Sequence, residues 1–557
     1  MIEKFEKYGI KPYGAVPNAR QMEWYEREKM IFFHFGMNTF TDREWGDGTE
    51  NPELFNPTEL DVRQWVRTVR DAGFKCAIIT AKHHDGFCLW QTKYTEHSIK
   101  SSPYKNGKGD IVREFTDACA EFGIKAGIYL SPWDRHEPSW GKDEYNDFYV
   151  GQLTELLTGY GKIWECWWDG AGSTEAVYDW ERWANTVRTL QPDAVIFGSL
   201  GATPWVDVRW VGNEKGIAGK PCYATIDPIS LEVETTSELN SGKPGGKRFI
   251  PAEVDVSIRP GWFYHSSQDG SVRTPENLMD LWFTSNGSNA GLLLNLPPDR
   301  RGRIHENDVS SLLAFEQRLR AAFENNLLGD AKVNASSERE GCSSANLLQK
   351  DRESFYAPTD SDKMPEIIFD LPEKRDINAF ILEEAIELGH KITDIEIYAL
   401  VDGEWRTVAK SQCVGYRLSE KFDTVYTKSV KIKIKSAYDT PALYFFGAYY
   451  IADGKKENKG NKNINLAENA QVEITDGAIY VNLGGIYPFS KIILGGVYDG
   501  EYMLSLFNGF SFDLIGTAIA EKGEAVWNFD KAIDYSYRFK IETKADVDRE
   551  KINIKTF

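Results

Sequence analysis

The first part of the chain, residues 1–325, alternates short apolar runs with segments whose apolar residues recur at helical spacing. Val62, Trp65, Val66 and Val69 share one helical face, and Gly73 follows them where a C-terminal cap favours glycine. The apolar runs between such segments have the length of strands. Eight of them predict strands: Ile31–Phe33, Cys76–Ile79, Ala126–Leu130, Ile163–Trp167, Ala194–Phe197, Val206–Val211, Phe249–Val256 and Leu292–Leu296.

Strand and helix repeated about eight times within one domain fit a (β/α)8 barrel. The alternative is a doubly wound open sheet, which often binds a nucleotide through a glycine-rich loop. Neither GxGxxG nor GxxxxGK[ST] follows an early strand here. We therefore predict a barrel over residues 1–325.

Beyond residue 330 the pattern changes to strict alternation without long helices. Val430–Lys435 (VKIKIK) and Ile395–Tyr398 (IEIY) are typical of half-buried strands. The segment 453–463 (DGKKENKGNKN) contains no apolar residue and is typical of a linker. We predict two all-β sandwich domains, at residues 331–452 and 465–557.

Composition excludes several classes of function. Lys and Arg number 65 against 84 Asp and Glu, and this excess of acid argues against a nucleic-acid or anionic membrane surface. A hydrophobic fraction of 41% is ample for folded cores. The longest strongly apolar stretch, Leu443–Ala452, falls short of the roughly 20 residues that a membrane helix needs.

Cysteines and the N-terminus bear on the cellular compartment. The seven cysteines are widely spaced and form no CxxC pair, so we expect buried free thiols instead of disulfides or a zinc site. Met1–Lys4 has no basic start followed by an apolar run, so no signal peptide is visible. This favours the cytoplasm, or export if a leader has been removed.

Chemistry-bearing side chains concentrate in the predicted barrel, which has 15 of the 17 tryptophans and seven of the eight histidines. Catalytic groups of such barrels lie at the C-terminal ends of the strands. Polar and aromatic residues follow seven of the eight predicted strands. They are His34, Glu44 and Trp45; His83 and His84; Tyr129, Trp133, Asp134 and His136; Trp167 and Asp169; Glu214; and Glu253, Asp255 and Asn295 after the last two strands.

These residue types suit a sugar better than a metal. Neither HxH nor HExxH occurs, so we expect no metal site, and no motif indicates a cofactor. A single histidine at a strand end is often structural, whereas the pair His83–His84 has side chains on opposite faces that both need partners. Aromatic rings can pack on the C–H faces of a sugar while histidine and carboxylate groups bind its hydroxyls.

Asp169 is the best candidate for a catalytic carboxylate. It follows the apolar strand WECWW and precedes Gly170, so its side chain should emerge at the rim, although it could instead cap the next helix. A glycosidase nucleophile needs a second carboxyl group that donates a proton. Glu214 is the preferred partner, with Glu44, Glu253 and Asp134 as alternatives.

These segments resemble the family-29 retaining α-L-fucosidases. The matching pieces are HFG at residues 34–36, KHHDGF at 82–87, WWDG at 167–170, VDVSIRPGWFYH at 254–265 and LLLNLPPD at 292–299. The resemblance implies that Asp169 is the nucleophile and that fucose is bound by a pocket of aromatic and histidine side chains. Its implied members are His34, His83, His84, Tyr129, Trp167 and Trp262, and more weakly Glu44 and Trp45.

The segment RWVGNE at residues 209–214 resembles the subgroup that acts on branched α-1,3/1,4-linked fucose, which implies that Glu214 is the acid/base. The substrates would then be Lewis-type fucosylated oligosaccharides or glycoprotein glycans. A fucose-binding lectin without turnover and a transfucosidase that uses the same site are the alternatives.

Residues 331–452 resemble a discoidin-type domain, the C-terminal domain of coagulation factors 5 and 8. The resemblance rests on VNASS at residues 333–337 and IIFDL at 367–371. It implies a β-sandwich that either binds carbohydrate or serves only as a packing spacer. For residues 465–557 the alternation predicts strands and no function.

Overall fold

The computed structural model describes residues 2–171, 176–199, 201–227 and 236–452, together with most of 465–557. In that last part 466, 468–469, 476, 484–488, 508–511, 534–535, 537 and 546–550 are not described. The segment 453–463, predicted as a linker, lies outside the described residues.

Eight parallel strands close into a barrel, each paired with its neighbours in sequence. The first strand pairs with the last, with Lys29 opposite Leu292. All eight predicted strands are present, and the predicted barrel is confirmed. The strands are β1 Lys29–Phe33, β2 Cys76–Lys82, β3 Lys125–Leu130, β4 Glu165–Trp168, β5 Val195–Gly198, β6 Val208–Trp210, β7 Ala252–Ser257 and β8 Gly291–Asn295.

Helices cover the outside of the barrel, and their ends follow the sequence signals. Asp61 and Asp110 accept hydrogen bonds from backbone N–H groups three residues later, and Gly123 ends its helix with φ 70°. Between β5 and β6 the described residues form no helix. The α-helices are α1 Glu3–Glu6, α2 Ala19–Tyr25, α3 Met37–Thr41, α4 Val62–Asp71, α5 Ile111–Phe122, α6 Glu144–Gly159, α7 Trp180–Leu190, α8 Thr236–Ser241, α9 Pro275–Thr284 and α10 Glu306–Phe323.

The middle part of the chain is an antiparallel sheet structure with its own apolar core. Its strands follow the order β9-β10-β13-β11-β12, and β14 pairs with β10. Alternate residues such as Ile367, Phe369, Ile432 and Ile434 are buried in that core, as the period-two pattern predicts. The strands are β9 Lys332–Ala335, β10 Glu366–Glu384, β11 Ile392–Val401, β12 Glu404–Ser411, β13 Leu418–Ala437 and β14 Leu443–Tyr449.

The C-terminal part contains two antiparallel sheets, β15-β16-β21-β18-β19 and β20-β17-β22, which enclose a third apolar core. The fold class predicted from the sequence, a barrel followed by two all-β sandwiches, is confirmed. The strands are β15 Gln471–Thr475, β16 Ala478–Asn482, β17 Phe489–Gly495, β18 Gly500–Phe507, β19 Phe512–Ala520, β20 Glu524–Ile533, β21 Arg538–Thr543 and β22 Asn553–Thr556.

The barrel and the first sandwich share a polar and aromatic interface. The buried Arg417 of β13's preceding loop donates hydrogen bonds to Glu28 of the barrel at 2.9 Å and to Glu383 of the sandwich at 2.8 Å. Tyr25 of α2 stacks on Tyr416 with ring centroids 4.7 Å apart. In the part of the chain that the structure describes, no helix is long and apolar enough to cross a membrane.

Candidate active site

Side chains from six barrel strands meet at the C-terminal end of the barrel. The rings of His83 and His84 are 4.0 Å apart, so the prediction of opposite faces is wrong: β2 ends at Lys82, and both histidines follow it. His34 lies 5.7 Å from His83 and 5.0 Å from Trp262. His84 Nε2 is 3.7 Å from Asp169 Oδ2. We call this group the rim cluster; it comprises His34, His83, His84, Tyr129, Asp169, Glu214 and Trp262.

Asp169 directly follows β4, and its carboxylate is held from two sides. The hydroxyl of Tyr129 donates to Oδ2 at 2.9 Å, and the backbone N–H of Ala171 donates to Oδ1 at 2.8 Å. The side chain keeps 27% of its surface exposed. Two donors therefore fix the orientation of a carboxylate that a ligand can still reach.

Glu214 follows β6 and belongs to a group of carboxyls. Trp262 Nε1 donates to its Oε2 at 3.1 Å. Desolvation and the nearby charge of Asp255 raise the pKa of Glu214 well above its usual range, and the charges of Asp169 and Glu44 act in the same direction. At neutral pH this carboxyl group is able to carry a proton.

Asp255 was noted in the sequence but was given no role there. Its Oδ1 accepts a hydrogen bond from Trp210 Nε1 at 2.9 Å, and the side chain is buried. Burial raises the pKa of Asp255 well above its usual range, and the charges of Glu253 and Asp169 add to this. The sequence signal for Asp255 was its position two residues after Glu253 on the same apolar strand. Side chains alternate along a strand, so this spacing places both carboxyls on one face.

The hydrogen-bond partners of His34 and His84 fix which ring nitrogen has the proton. Ser131 donates its hydroxyl to the Trp133 carbonyl at 2.6 Å, so it accepts from His84 Nδ1 at 2.8 Å. Asn295 uses its amide N–H groups for Trp262 O and Ser257 Oγ, so its Oδ1 accepts from His34 Nδ1 at 2.9 Å. In both neutral rings Nε2 is thus an acceptor.

His83 has the opposite arrangement. Asn38 donates from Nδ2 to the Glu44 carbonyl at 3.0 Å and to His83 Nδ1 at 3.3 Å, so His83 presents a protonated Nε2. Burial lowers the pKa of all three histidines, to about 3 for His34 and about 4 for His84. Near neutral pH the three rings are uncharged and offer two acceptors and one donor.

Glu44 and Trp45 have different surroundings. Glu44 accepts from the backbone N–H groups of Trp262 and Phe263 at 2.8 and 3.3 Å, and its Oε1 lies 2.6 Å from His265 Nε2. It therefore fixes the loop after β7. Trp45 is 58% exposed, and its ring approaches those of His84 at 5.9 Å and Trp133 at 5.5 Å.

Asp134 and His136 have partners away from the rim cluster. Asp134 forms a buried ion pair with Lys82 at 2.8 Å. His136 donates from Nδ1 to the Gly48 carbonyl at 2.7 Å and stacks on His97 at 4.1 Å. The charge of Asp134 still acts on His84 and opposes the lowering of its pKa.

Trp167 lies deeper in the barrel, stacked on Phe197 with centroids 4.0 Å apart and facing Tyr129 at 5.5 Å. Glu253 lies deeper than its placement at a strand end predicted, because β7 continues to Ser257. Among the described residues, no group of three or more His, Cys, Asp and Glu side chains is placed to hold a metal ion.

Comparisons with known proteins match the barrel and the first sandwich to two families. Residues 7–322 match the family model described as Alpha-L-fucosidase, and residues 332–446 match the F5/8 type C domain. Alpha-L-fucosidase 1 of Arabidopsis thaliana is 40% identical over 451 residues, covering 79% of this chain and 88% of the relative.

Two solved structures extend the comparison. A candidate alpha-L-fucosidase from Bacteroides thetaiotaomicron is 45% identical, covers 79% of this chain and 99% of its own, and has a TM-score of 0.78. A Ruminococcus gnavus GH29 fucosidase solved in complex with fucose is 31% identical, covers 80% and 96%, and has a TM-score of 0.74. With its F5/8 type C domain, this chain belongs to the GH29 alpha-L-fucosidase family.

Proposed function

We propose that this chain is an exo-acting retaining α-L-fucosidase that removes terminal fucose from α-1,3/1,4-linked, Lewis-type branched glycans. The observation that carries the proposal is the pair of unlike carboxyl groups in the rim cluster. Glu214 is desolvated and lies among other carboxyls, which favours its protonated form, whereas Asp169 is partly exposed and held by two hydrogen-bond donors.

In the first step Asp169 attacks the anomeric carbon of fucose and forms a covalent glycosyl-enzyme, while Glu214 gives its proton to the leaving oxygen. In the second step Glu214 takes a proton from water, which releases fucose with retained configuration. Such a double displacement requires the two carboxyl groups to be about 5–5.5 Å apart in the liganded enzyme.

The neutral histidines supply the polar contacts in this proposal. His34 and His84 accept hydrogen bonds from two sugar hydroxyls, and His83 donates one. Trp167 and Trp262 form the apolar walls, and Tyr129 holds Asp169. Trp45, the most exposed aromatic of the group, contacts Trp133 and is in this proposal the contact for the rest of the glycan.

The assignment of linkage rests on the segment that carries Glu214 and has a direct test. Fucose release is measured side by side from a Lewis trisaccharide and from an α-1,2-fucosylated lactose. Release from the Lewis sugar alone supports the branched-substrate assignment, and release from both contradicts it. Binding of fucose without release from either would favour a lectin, and transfer to an added acceptor sugar in place of water would favour a transfucosidase.

A further inference from the structure

Two carboxyl groups lie inside the barrel below the rim cluster, where the proposed mechanism does not use them. Glu165 of β4 and Glu253 of β7 both have no exposed surface. Both Glu253 oxygens accept indole hydrogen bonds, Oε1 from Trp167 at 2.9 Å and Oε2 from Trp24 at 3.0 Å. Both Glu165 oxygens are buried without a hydrogen-bond donor.

Each carboxyl acts on the pKa of the other: the charge of Glu253 raises the pKa of Glu165, and a hydrogen bond from Glu165 opposes the rise that burial causes in the pKa of Glu253. Two adjacent carboxylates in a dry interior cannot both be ionised. The further charges that act on Glu165 come from another acid, Asp207, and within the described chain neither glutamate has a salt bridge to a cation. One proton must therefore stay in the pair.

The hydrogen bonds decide which glutamate holds this proton. An ionised carboxylate accepts only, and Glu253 accepts from two indoles, whereas an acid needs an oxygen that donates. Glu165 has two oxygens without a donor, so a proton on Glu165 that is donated to Glu253 gives one of them a partner, whereas both Glu253 oxygens already accept from an indole. Burial and the charge of Glu253 raise the pKa of Glu165 well above its usual range, which agrees with this assignment.

The sequence leaves room for the pair. Gly127 on β3 is the register partner of Glu165, and a Cβ there would lie 3.4 Å from Glu165 Cβ and 2.8 Å from Ile78 Cγ1. Gly291 on β8 is the partner of Glu253, and a Cβ there would lie 2.5 Å from the Trp24 ring. A side chain at 127 would collide with Ile78 beside Glu165, and one at 291 would displace the indole that binds Glu253.

We propose that Glu165 is a carboxylic acid that donates its proton to Glu253, and that Glu253 is a positioning residue which holds Trp167 in the wall of the sugar pocket. Trp167 in turn stacks on Phe197 and faces Tyr129, whose hydroxyl holds Asp169. The part that concerns sugar binding rests on the proposed function, which places fucose against Trp167.

The test compares Glu165→Gln with Glu253→Gln on an aryl α-L-fucoside. Glutamine at 165 can still donate an N–H to Glu253, so we expect KM and kcat within about twofold of the unchanged protein. Glutamine at 253 turns an N–H toward one indole and loses that bond, so KM should rise about tenfold while kcat falls less. An equal change of KM in the two variants, or a larger rise of KM in Glu165→Gln than in Glu253→Gln, would overturn the proposal.

Two further measurements separate positioning from simple loss of folding. Difference infrared spectra should lose one protonated-carboxyl band in Glu165→Gln, and an unchanged carboxyl region would overturn the assignment of the proton. Tryptophan emission should shift in Glu253→Gln and not in Glu165→Gln, both measured well below the melting temperature of each variant. If the unchanged protein cleaves no fucoside, the proposed function fails, whereas the infrared result still decides the glutamate pair.

Discussion

At the scale of single residues, the proposed mechanism depends on two carboxyl groups with unlike surroundings. Asp169→Asn removes the nucleophile, so we expect loss of turnover on every fucoside. Glu214→Gln removes only the proton donor, which should lower kcat/KM about 10²- to 10⁴-fold for oligosaccharides. A fucoside with a good leaving group needs little protonation, and its first step should be nearly unaffected. Equal losses on both kinds of substrate would contradict the role of Glu214.

Asp255 gives a second prediction at this scale, because Asp255 and Glu214 are two buried, interacting carboxyls that titrate as a pair: after desolvation, Asp255 contributes most to the raised pKa of Glu214. Asp255→Asn keeps an oxygen for Trp210 Nε1 and removes the neighbouring carboxyl. The pKa of Glu214 should then fall, and since the acid form is required, the alkaline limb of kcat/KM should move to lower pH by about one unit. Asp193→Asn, an exposed change, should leave the profile in place. An unshifted limb in Asp255→Asn would show that Asp255 does not tune Glu214.

The residue types of the site could be predicted from the sequence, but their protonation could not. Strand ends place His34, His83 and His84 at one rim, as expected. The proton on each ring is set by Asn295, Asn38 and Ser131, which lie 261, 45 and 47 residues away in the chain. Local patterns contain no information about such distant partners, and this is also why the roles of Asp255 and of the Glu165–Glu253 pair could not be predicted.

At the scale of elements, the loop after β7 connects several parts of the site. It carries Trp262, which donates to Glu214, and Glu44 from the loop after β1 holds it through two backbone N–H groups. His265 lies between Asp42 and Glu44; burial opposes its charge, but hydrogen bonds to the two acids raise its pKa above the usual value. A Cβ at Gly261 would collide with the Glu44 carboxylate, so glycine permits this close approach.

From the contacts of Glu44 with the loop after β7, we predict that Glu44→Ala leaves the backbone N–H groups of Trp262 and Phe263 without an acceptor and lets Trp262 move. We expect kcat/KM to fall about tenfold or more on aryl fucosides and oligosaccharides alike, because both the pocket wall and the partner of Glu214 are displaced. Glu53→Gln, an exposed change in the same connection, is the matched control. A loss confined to oligosaccharides would instead place Glu44 at the leaving-group side.

The strands and helices could be predicted wherever apolar periodicity and capping residues mark them clearly. All eight strands and the capped helices α4 and α5 lie where the apolar period and the Asp and Gly signals place them. The connection from β5 to β6 departs from the regular repeat. Strand pairing of Phe197 with Val208 brings these strands together without a helix in the described part of that connection, and periodicity alone does not reveal this.

At the scale of the whole molecule, the first sandwich packs against the barrel through α2 and Glu28. Tyr416 of the sandwich stacks on Tyr25 of α2, and the neighbouring Trp24 reaches Glu253 inside the barrel. The buried Arg417 forms ion pairs with Glu28 of the barrel and Glu383 of the sandwich, so it links the two domains. The sandwich thus packs against α2, the helix whose Trp24 reaches into the barrel.

Arg417 tests this coupling. Arg417→Met leaves Glu28 without its ion-pair partner and Glu383 with only Arg352 at 3.7 Å, which should cost about 3 kcal/mol. Arg406→Met removes only an exposed pair and should cost less than about 1 kcal/mol. Denaturation followed by tryptophan fluorescence reports mainly the barrel, since it has 15 of the 17 tryptophans. We expect its midpoint to fall in Arg417→Met although the change lies in the sandwich. An unchanged midpoint would mean that the barrel folds independently.

The same interface predicts a dependence on acid. Burial opposes the charge of Glu28, but Arg417 outweighs it and lowers the pKa of Glu28 to about 2. A lowered pKa stabilises the folded protein above the unfolded value of about 4.3, and this contribution is lost as the pH falls from there toward 2. Glu28→Gln should therefore reduce stability at pH 7 and flatten its decline between about pH 4 and 2. An equally steep decline in this variant would assign the acid sensitivity to other carboxyls.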